Sequence, residues 1–254
     1  MRENAVKSVW AAEGKVVNGW LAIPAGYSAE VMAHQAFDSI TVDLQHGVVD
    51  YSAAVQMLQA ISTMAPTPLV RVPWNEPGLI MKMLDAGAYG VICPMVNDRA
   101  ACEAFVGACR YAPVGYRSYG PLRGLLYGGA DYHAHANDTI LTLAMIETAE
   151  ALDNLADILS VPGLDAIYVG LGDLSVSLGC PPTLDPTEPV VVDAIAAVLA
   201  AAQDHGLKAG IHCSGGAGAA GRFAQGFDFC SLANDARLLA AAAKSEISAA
   251  RAGG

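Results

Sequence analysis

The feature that most constrains this chain is an alternation repeated eight times: a short apolar, β-branched run, then a segment with helical periodicity. A strand buried on both faces reads as such a run, and strands alternating with helices at this spacing call for parallel pairing through helical crossovers. The predicted strands are residues 16–24, 37–45, 67–74, 90–96, 140–148, 166–170, 208–213 and 227–232. Helices are predicted over 28–35, 52–64, 76–86, 98–109, 149–159, 190–205, 216–225 and 235–251, and an amphipathic segment, 3–12, precedes the first strand. Ser28 and Ser52 are read as N-caps, and Gly87 as the residue that closes the third helix. Residues 111–138, rich in Gly, Tyr and Pro, read as one long irregular loop of the kind that usually carries function. No shift in composition marks a boundary, so residues 1–254 are expected to form one α/β domain, a (β/α)8 barrel. An open doubly wound sheet is the alternative.

Composition then removes several partners. With a formal net charge of −11 and no basic cluster, the chain has nothing to neutralise phosphates, so neither nucleic acid nor an anionic membrane is expected to bind. No apolar run is long and clean enough to span a bilayer, and no signal-peptide core follows Met1. The six cysteines (93, 102, 109, 180, 213 and 230) show neither a CxxC pair nor zinc spacing, and read as small core residues in a reducing cytoplasm.

Chemistry in such a barrel sits at the C-terminal ends of the strands. The polar residues there are Gln45 and His46 after Phe37–Leu44, Arg71 on the third strand, Glu147 on the fifth and Asp173 after the sixth. Two carboxylates with open positions suit Mg²⁺ or Mn²⁺, an Arg can grip a carboxylate or oxyanion, and a His serves as acid/base group near neutral pH. The blander account pairs Glu147 with Arg71 across the barrel and uses Asp173 as a helix cap. Other signals weigh less. Gly216–Gly221 fits G-x-G-x-x-G but follows the seventh strand rather than opening a βαβ unit. His133 and His135 lack a third metal ligand nearby, and His212, at the end of the seventh strand, divides between lining the mouth and the favoured role of a core hydrogen bond. Tyr116, Arg117, Tyr119, Arg123 and Tyr127 divide between anchoring their loop and contacting substrate.

Three blocks, Phe37–Gly47, Ile80–Val96 and Met145–Ser175, resemble the HpcH/HpaI class II pyruvate aldolases. Arg110–Gly120 and Asp235–Leu239 are similar to further segments of that family, in the same order along the chain. The resemblance implies a barrel of the phosphoenolpyruvate/pyruvate-binding type, assembled as a homohexamer or trimer with the last helix swapped between subunits. It implies a carbon–carbon lyase that cleaves a 4-hydroxy-2-oxo acid to pyruvate, or an analogue, plus an aldehyde, through an enolate stabilised by a divalent cation. That cation would be Mg²⁺ or Mn²⁺, with Co²⁺ or Zn²⁺ admissible, on Glu147 and Asp173. Arg71 would bind the 2-oxo acid, with Trp20, Gln45 and the backbone N–H groups of Gly172 and Asp173 completing the substrate contacts. His46, supported by Asp85, would be the acid/base group; Asp43, further into the strand, is read as its structural support. Two residues depart from the family pattern: Gln45 stands where a carboxylate is common, and Met145 where Gln is frequent. The rival activities are a citramalyl- or malyl-CoA-type lyase, which the acidic composition disfavours, and a catalytically idle barrel used for binding or assembly.

Overall fold

The computed structural model describes residues 1–252. Helix α1 (Ala5–Ala11), capped by the Asn4 side chain, leads into β1 (Val16–Leu21), α2 (Gly26–Ala33), β2 (Ser39–Asp43) and α3 (Tyr51–Ile61). There follow β3 (Thr67–Arg71), α4 (Pro77–Asp85), β4 (Gly90–Cys93), α5 (Arg99–Cys109), α6 (Leu122–Gly128) and α7 (Tyr132–Thr139). The second half runs β5 (Leu141–Ile146), α8 (Ala149–Asp153), α9 (Leu155–Leu159), β6 (Ala166–Val169), α10 (Leu171–Ser177) and α11 (Pro189–Asp204). It closes with β7 (Lys208–His212), α12 (Gly216–Gln225), β8 (Phe229–Asn234) and α13 (Asp235–Ala252). The eight strands pair in parallel in chain order, and β1 meets β8 to close the barrel. The (β/α)8 architecture is therefore the observed one. No described helix is long and apolar enough to cross a membrane.

Two apolar layers hold the barrel. Inside it, Val16, Trp20, Leu69, Leu143, Tyr168 and Phe229 pack together, and α1 closes the N-terminal end with Val6 and Trp10. Each such side chain, fully buried, contributes on the order of 1.5–3 kcal/mol. A larger layer joins the outer faces of the strands to the helices. The interior also carries a polar chain: Asn18 donates to Ser231 Oγ (2.9 Å), and its Oδ1 accepts from Ser39 (2.8 Å) and Thr41 (3.1 Å). Tyr168 donates to Ser231 Oγ at 2.8 Å. Every member has a partner, as buried polar groups require.

Several local expectations change. Ser28 does not cap α2, which starts at Gly26 without a side-chain cap; the Ser28 hydroxyl donates to Asp235 Oδ2 at 2.7 Å. Asp50, not Ser52, caps α3, its Oδ1 accepting from Ala53 N–H at 2.8 Å; an anionic acceptor there also complements the helix dipole. The predicted helix 149–159 divides at Asn154. The supposed loop 111–138 contains α6 and α7, held by contacts distant in sequence. Arg123 donates to Leu58 O (3.2 Å) and Ser62 Oγ (2.9 Å), and Tyr132 is wholly buried. Gly87, with φ +101°, closes α4 as expected.

Asp235 is the pin at the barrel seam. Its buried carboxylate accepts from the N–H groups of Ala22 (2.8 Å) and Ile23 (3.3 Å) and from Ser28, tying the end of β1 and the start of α2 to the end of β8. Removing it strands those donors. Asp235→Ala is expected to lower the unfolding free energy by about 3 kcal/mol, read from urea denaturation; a loss below about 0.5 kcal/mol would refute the pinning role.

Candidate active site

The parallel register carries the C-terminal ends of the strands to one rim, where a cavity of about 220 Å³ opens. A larger, more open hollow of about 440 Å³ lies around Met1–Ser8, away from these strand ends. The rim cavity is lined by Trp20, Asp43, His46 and Arg71 on one side and by Met145, Glu147, Gly172 and Asp173 on the other. Tyr168, Leu184, His212, Asn234 and Arg237 complete the wall.

Its rigid centre is the pair of Asp43 and Arg71, which are directly opposite in the β2–β3 register. Arg71 Nε donates to Asp43 Oδ1 (2.9 Å) and Nη2 to Oδ2 (2.6 Å), a bidentate fork. Trp20 Nε1 also donates to Oδ2 (3.1 Å), while the N–H groups of Gln45 and His46 reach Oδ1 at 3.0 and 3.2 Å. Burial alone would raise the Asp43 pKa, but Arg71 and the other donors hold the carboxyl below its ordinary value. The guanidinium also lies 4.9 Å over the Trp20 ring. With one edge committed to Asp43, Arg71 Nη1 meets no protein acceptor among the described residues. The chain turns immediately after this pair, and Gly47 is required there: a Cβ would stand 2.3 Å from the Asp43 carbonyl oxygen.

Glu147, just past β5, is 1% exposed. Its Oε1 accepts from the Met95 N–H at 2.8 Å, and Met95 adopts φ +55°. A left-handed non-glycine residue is strained, and here the strain aims an N–H at the carboxylate. Gly170 makes room for the other oxygen, since a Cβ there would come within 2.2 Å of Oε2. Burial pushes the Glu147 carboxyl up to about 7; the Met95 N–H and Arg71 oppose the rise, and the charge of Asp173 adds to it. Asp173 stands exposed in the first turn of α10. That turn also leaves N–H groups without intrahelical acceptors.

His46 is exposed at the mouth, and its ring has no protein hydrogen bond among the described residues. Asp85, expected behind it, does not line this cavity: it lies at the end of α4 and accepts from Arg117 Nη2 at 2.7 Å. Nor does Gln45 reach the cavity, and its Oε1 is buried without a partner. The loop residues face elsewhere. Tyr116 donates to Ala104 O, Arg117 is enclosed by Tyr111 and Tyr132, Tyr119 packs on Tyr111 and His133, and Tyr127 packs on Tyr89. Within this chain they anchor the segment. His135 faces Asp131, so the two loop histidines do not converge.

His212 does line the mouth. Its Nδ1 lies 3.2 Å from the Tyr168 hydroxyl, its ring packs edge-on to Trp20, and burial, helped by Arg71, lowers its pKa to about 4. Asn234 went unrecognised in the sequence because β8 extends two residues beyond its predicted end, and Arg237 because it falls inside the predicted last helix. A polar residue at a strand's C-terminal end was the signal that would have found Asn234.

The sequence model of the HpcH/HpaI aldolase/citrate lyase family matches residues 19–242. The chain belongs to this family. A hydroxypyruvate/pyruvate aldolase of Rhizorhabdus wittichii is 43% identical over 249 residues, covering 98% of this chain and 99% of its own. A 4-hydroxy-2-oxo-heptane-1,7-dioate aldolase of Salmonella dublin is 35% identical, with 95% and 92% covered. Among solved structures, a family protein from Burkholderia cenocepacia superposes with a TM-score of 0.90 at 29% identity, covering 98% and 99% of the two chains.

The raised Glu147 pKa fixes the sign of a stability effect in protein without added metal. Between the ordinary carboxylate value of 4.5 and about 7, the folded state binds more protons than the unfolded state, so stability falls as pH rises through that window. Glu147→Gln keeps the Met95 acceptor and removes the titration. At pH 8 it is expected to be more stable than the parent by up to about 3 kcal/mol, with a flatter profile from pH 4.5 to 7 in urea titrations. Equal profiles would contradict the assignment.

Proposed function

We propose that this chain is an aldolase, a carbon–carbon lyase that cleaves a 4-hydroxy-2-oxo acid to pyruvate or a close analogue plus an aldehyde, and runs the reverse addition. The observation that carries the reading is Arg71, locked by Asp43 with free N–H donors toward a cavity that also holds two carboxylates and an unengaged His. Relatives named as aldolases, aligned over nearly the whole chain, support it.

Glu147 and Asp173 fit a divalent cation by their chemistry: two hard oxygen donors follow adjacent strands, and glycine at 170 keeps the space beside Glu147 Oε2 open. Among the described residues no third His, Cys, Asp or Glu joins them, so a cation held there would take its remaining ligands from water and substrate oxygens. When bound, Mg²⁺ or Mn²⁺ supplies Lewis acidity toward the 2-oxo acid. The chain's own groups do the rest. The N–H groups of Gly172 and Asp173 receive the substrate carboxylate, as the first turn of a helix does for anions. Arg71 donates to the 2-oxo oxygen and gains most as negative charge develops there, because its partner Asp43 prevents it from moving. Trp20 walls the site beneath the guanidinium. His46 takes the proton from the 4-hydroxyl in cleavage and returns it in addition.

We also propose a cytoplasmic homo-oligomer, a hexamer or trimer that exchanges α13. All six cysteines are free, as in a reducing compartment, and α13 leaves Leu239 and Ile247 more than half exposed.

The test is exchange of pyruvate methyl protons with D₂O, followed by proton NMR. Exchange is expected with Mg²⁺ or Mn²⁺ and not after chelation, and Glu147→Ala should slow it at least about 100-fold. Arg71→Lys, which loses the fork, should also cost about 100-fold in kcat/KM for cleavage. Metal-independent exchange, or undiminished exchange in Glu147→Ala, would overturn the reading.

A further inference from the structure

The groups above account for the 2-oxo acid half of the substrate and leave the aldehyde half without a recognition element. Two cations line the cavity. Arg71 is neutralised by its fork to Asp43, whereas the Arg237 guanidinium meets no carboxylate within salt-bridge distance among the described residues. The place of Arg237 is costly in local terms: it lies in the first turn of α13, where the helix dipole disfavours a positive charge. Its backbone N–H is fixed at that turn by Asn234 Oδ1 at 2.9 Å. A local rule broken without a compensating ion pair marks a residue kept for use.

Arg237 also stands at a junction. With Gly172 and Leu184 it lines both the main cavity and an adjoining hollow of about 390 Å³, floored by Thr183, Asp185 and Ser214. Asp185 is occupied by the Ser214 hydroxyl at 3.1 Å and makes no ion pair with Arg237. Arg71, His46 and Glu147 line the cavity but not this hollow, which adjoins it on the side of Arg237. Burial lowers the pKa of the neighbouring His212 to about 4, so it adds no positive charge near neutral pH and an anion at the junction depends on Arg237.

We infer that Arg237 determines aldehyde specificity by binding an anionic group, carboxylate or phosphate, at the far end of the aldehyde in the hollow it shares with Leu184 and Thr183. The inference rests on the aldolase reading and assigns the part of the site that reading leaves open.

The experiment measures kcat and KM for pyruvate addition, with Mg²⁺ or Mn²⁺ present, to succinic semialdehyde, glyceraldehyde 3-phosphate and uncharged butanal. Parent, Arg237→Ala and Arg237→Lys are compared. In Arg237→Ala the ratio of kcat/KM for the preferred anionic aldehyde to that for butanal should fall about 10- to 100-fold, mainly through KM, with Arg237→Lys recovering part of it. The anionic aldehyde that loses more tells carboxylate from phosphate. Arg237 is exposed, so neither change disturbs the core. A ratio that stays within twofold in Arg237→Ala, in a parent enzyme that exchanges pyruvate methyl protons, overturns this inference and leaves the aldolase reading standing. A parent that exchanges no protons overturns both.

Discussion

The site depends on the fork between Arg71 and Asp43. Neither residue could be held there singly: an unpaired buried carboxylate or guanidinium costs several kcal/mol, whereas the pair satisfies most of its own hydrogen bonds. The β2–β3 register places the two side by side, so the barrel's pairing is also the site's alignment. From Asp43 the order spreads outward, to the Trp20 indole and to the backbone that carries Gln45 and His46. One carboxylate thus positions a cation, an aromatic wall and the turn that presents a titratable ring.

On the opposite wall the arrangement runs against stability. Glu147 is buried near a second carboxylate, and its partners, the Met95 N–H and Arg71, do not prevent its pKa from rising. Met95 is itself held in a strained conformation to make that contact. Strain and uncompensated charge at one point are what a pocket shows when it is shaped for a charged visitor rather than for its own fold. The barrel can carry this cost because its interior, from α1 through Phe229 to Tyr168, is closely packed.

How much was legible in the sequence follows from where the information lies. The strands and their order could be read because parallel strands are apolar throughout, and Arg71, Glu147, His46 and Asp173 stood out as polar breaks at the ends of such runs. Gly87 was legible because its role is local. Asp85 was not: whether it faces His46 or Arg117 depends on a segment more than thirty residues away, and the structure pairs it with Arg117. Ser28 likewise resembles a cap until Asp235, some two hundred residues later, takes its hydroxyl. Helices α6 and α7 were hidden because their support comes from distant anchors rather than from an apolar period. Gln45 carries a family position without the family's charge, and its buried, unpaired oxygen is a consequence no local pattern announces.

The two halves of the cavity differ in what they are made of. Asp43, Arg71 and Glu147 sit on or directly after barrel strands and are buried or nearly so; changing them disturbs packing and chemistry together. Arg237, Asp185 and Leu184 sit on a helix start and a surface loop; Arg237 and Asp185 are exposed and Leu184 is half-buried. Substitutions at such positions usually change stability by about 0.5 kcal/mol or less, far below the cost of disturbing a buried ion pair. A barrel built this way can keep one way of handling the 2-oxo acid while the aldehyde it accepts is altered from the rim. Arg237, in the first turn of α13 and without an ion-pair partner among the described residues, is the residue through which such an alteration acts most directly.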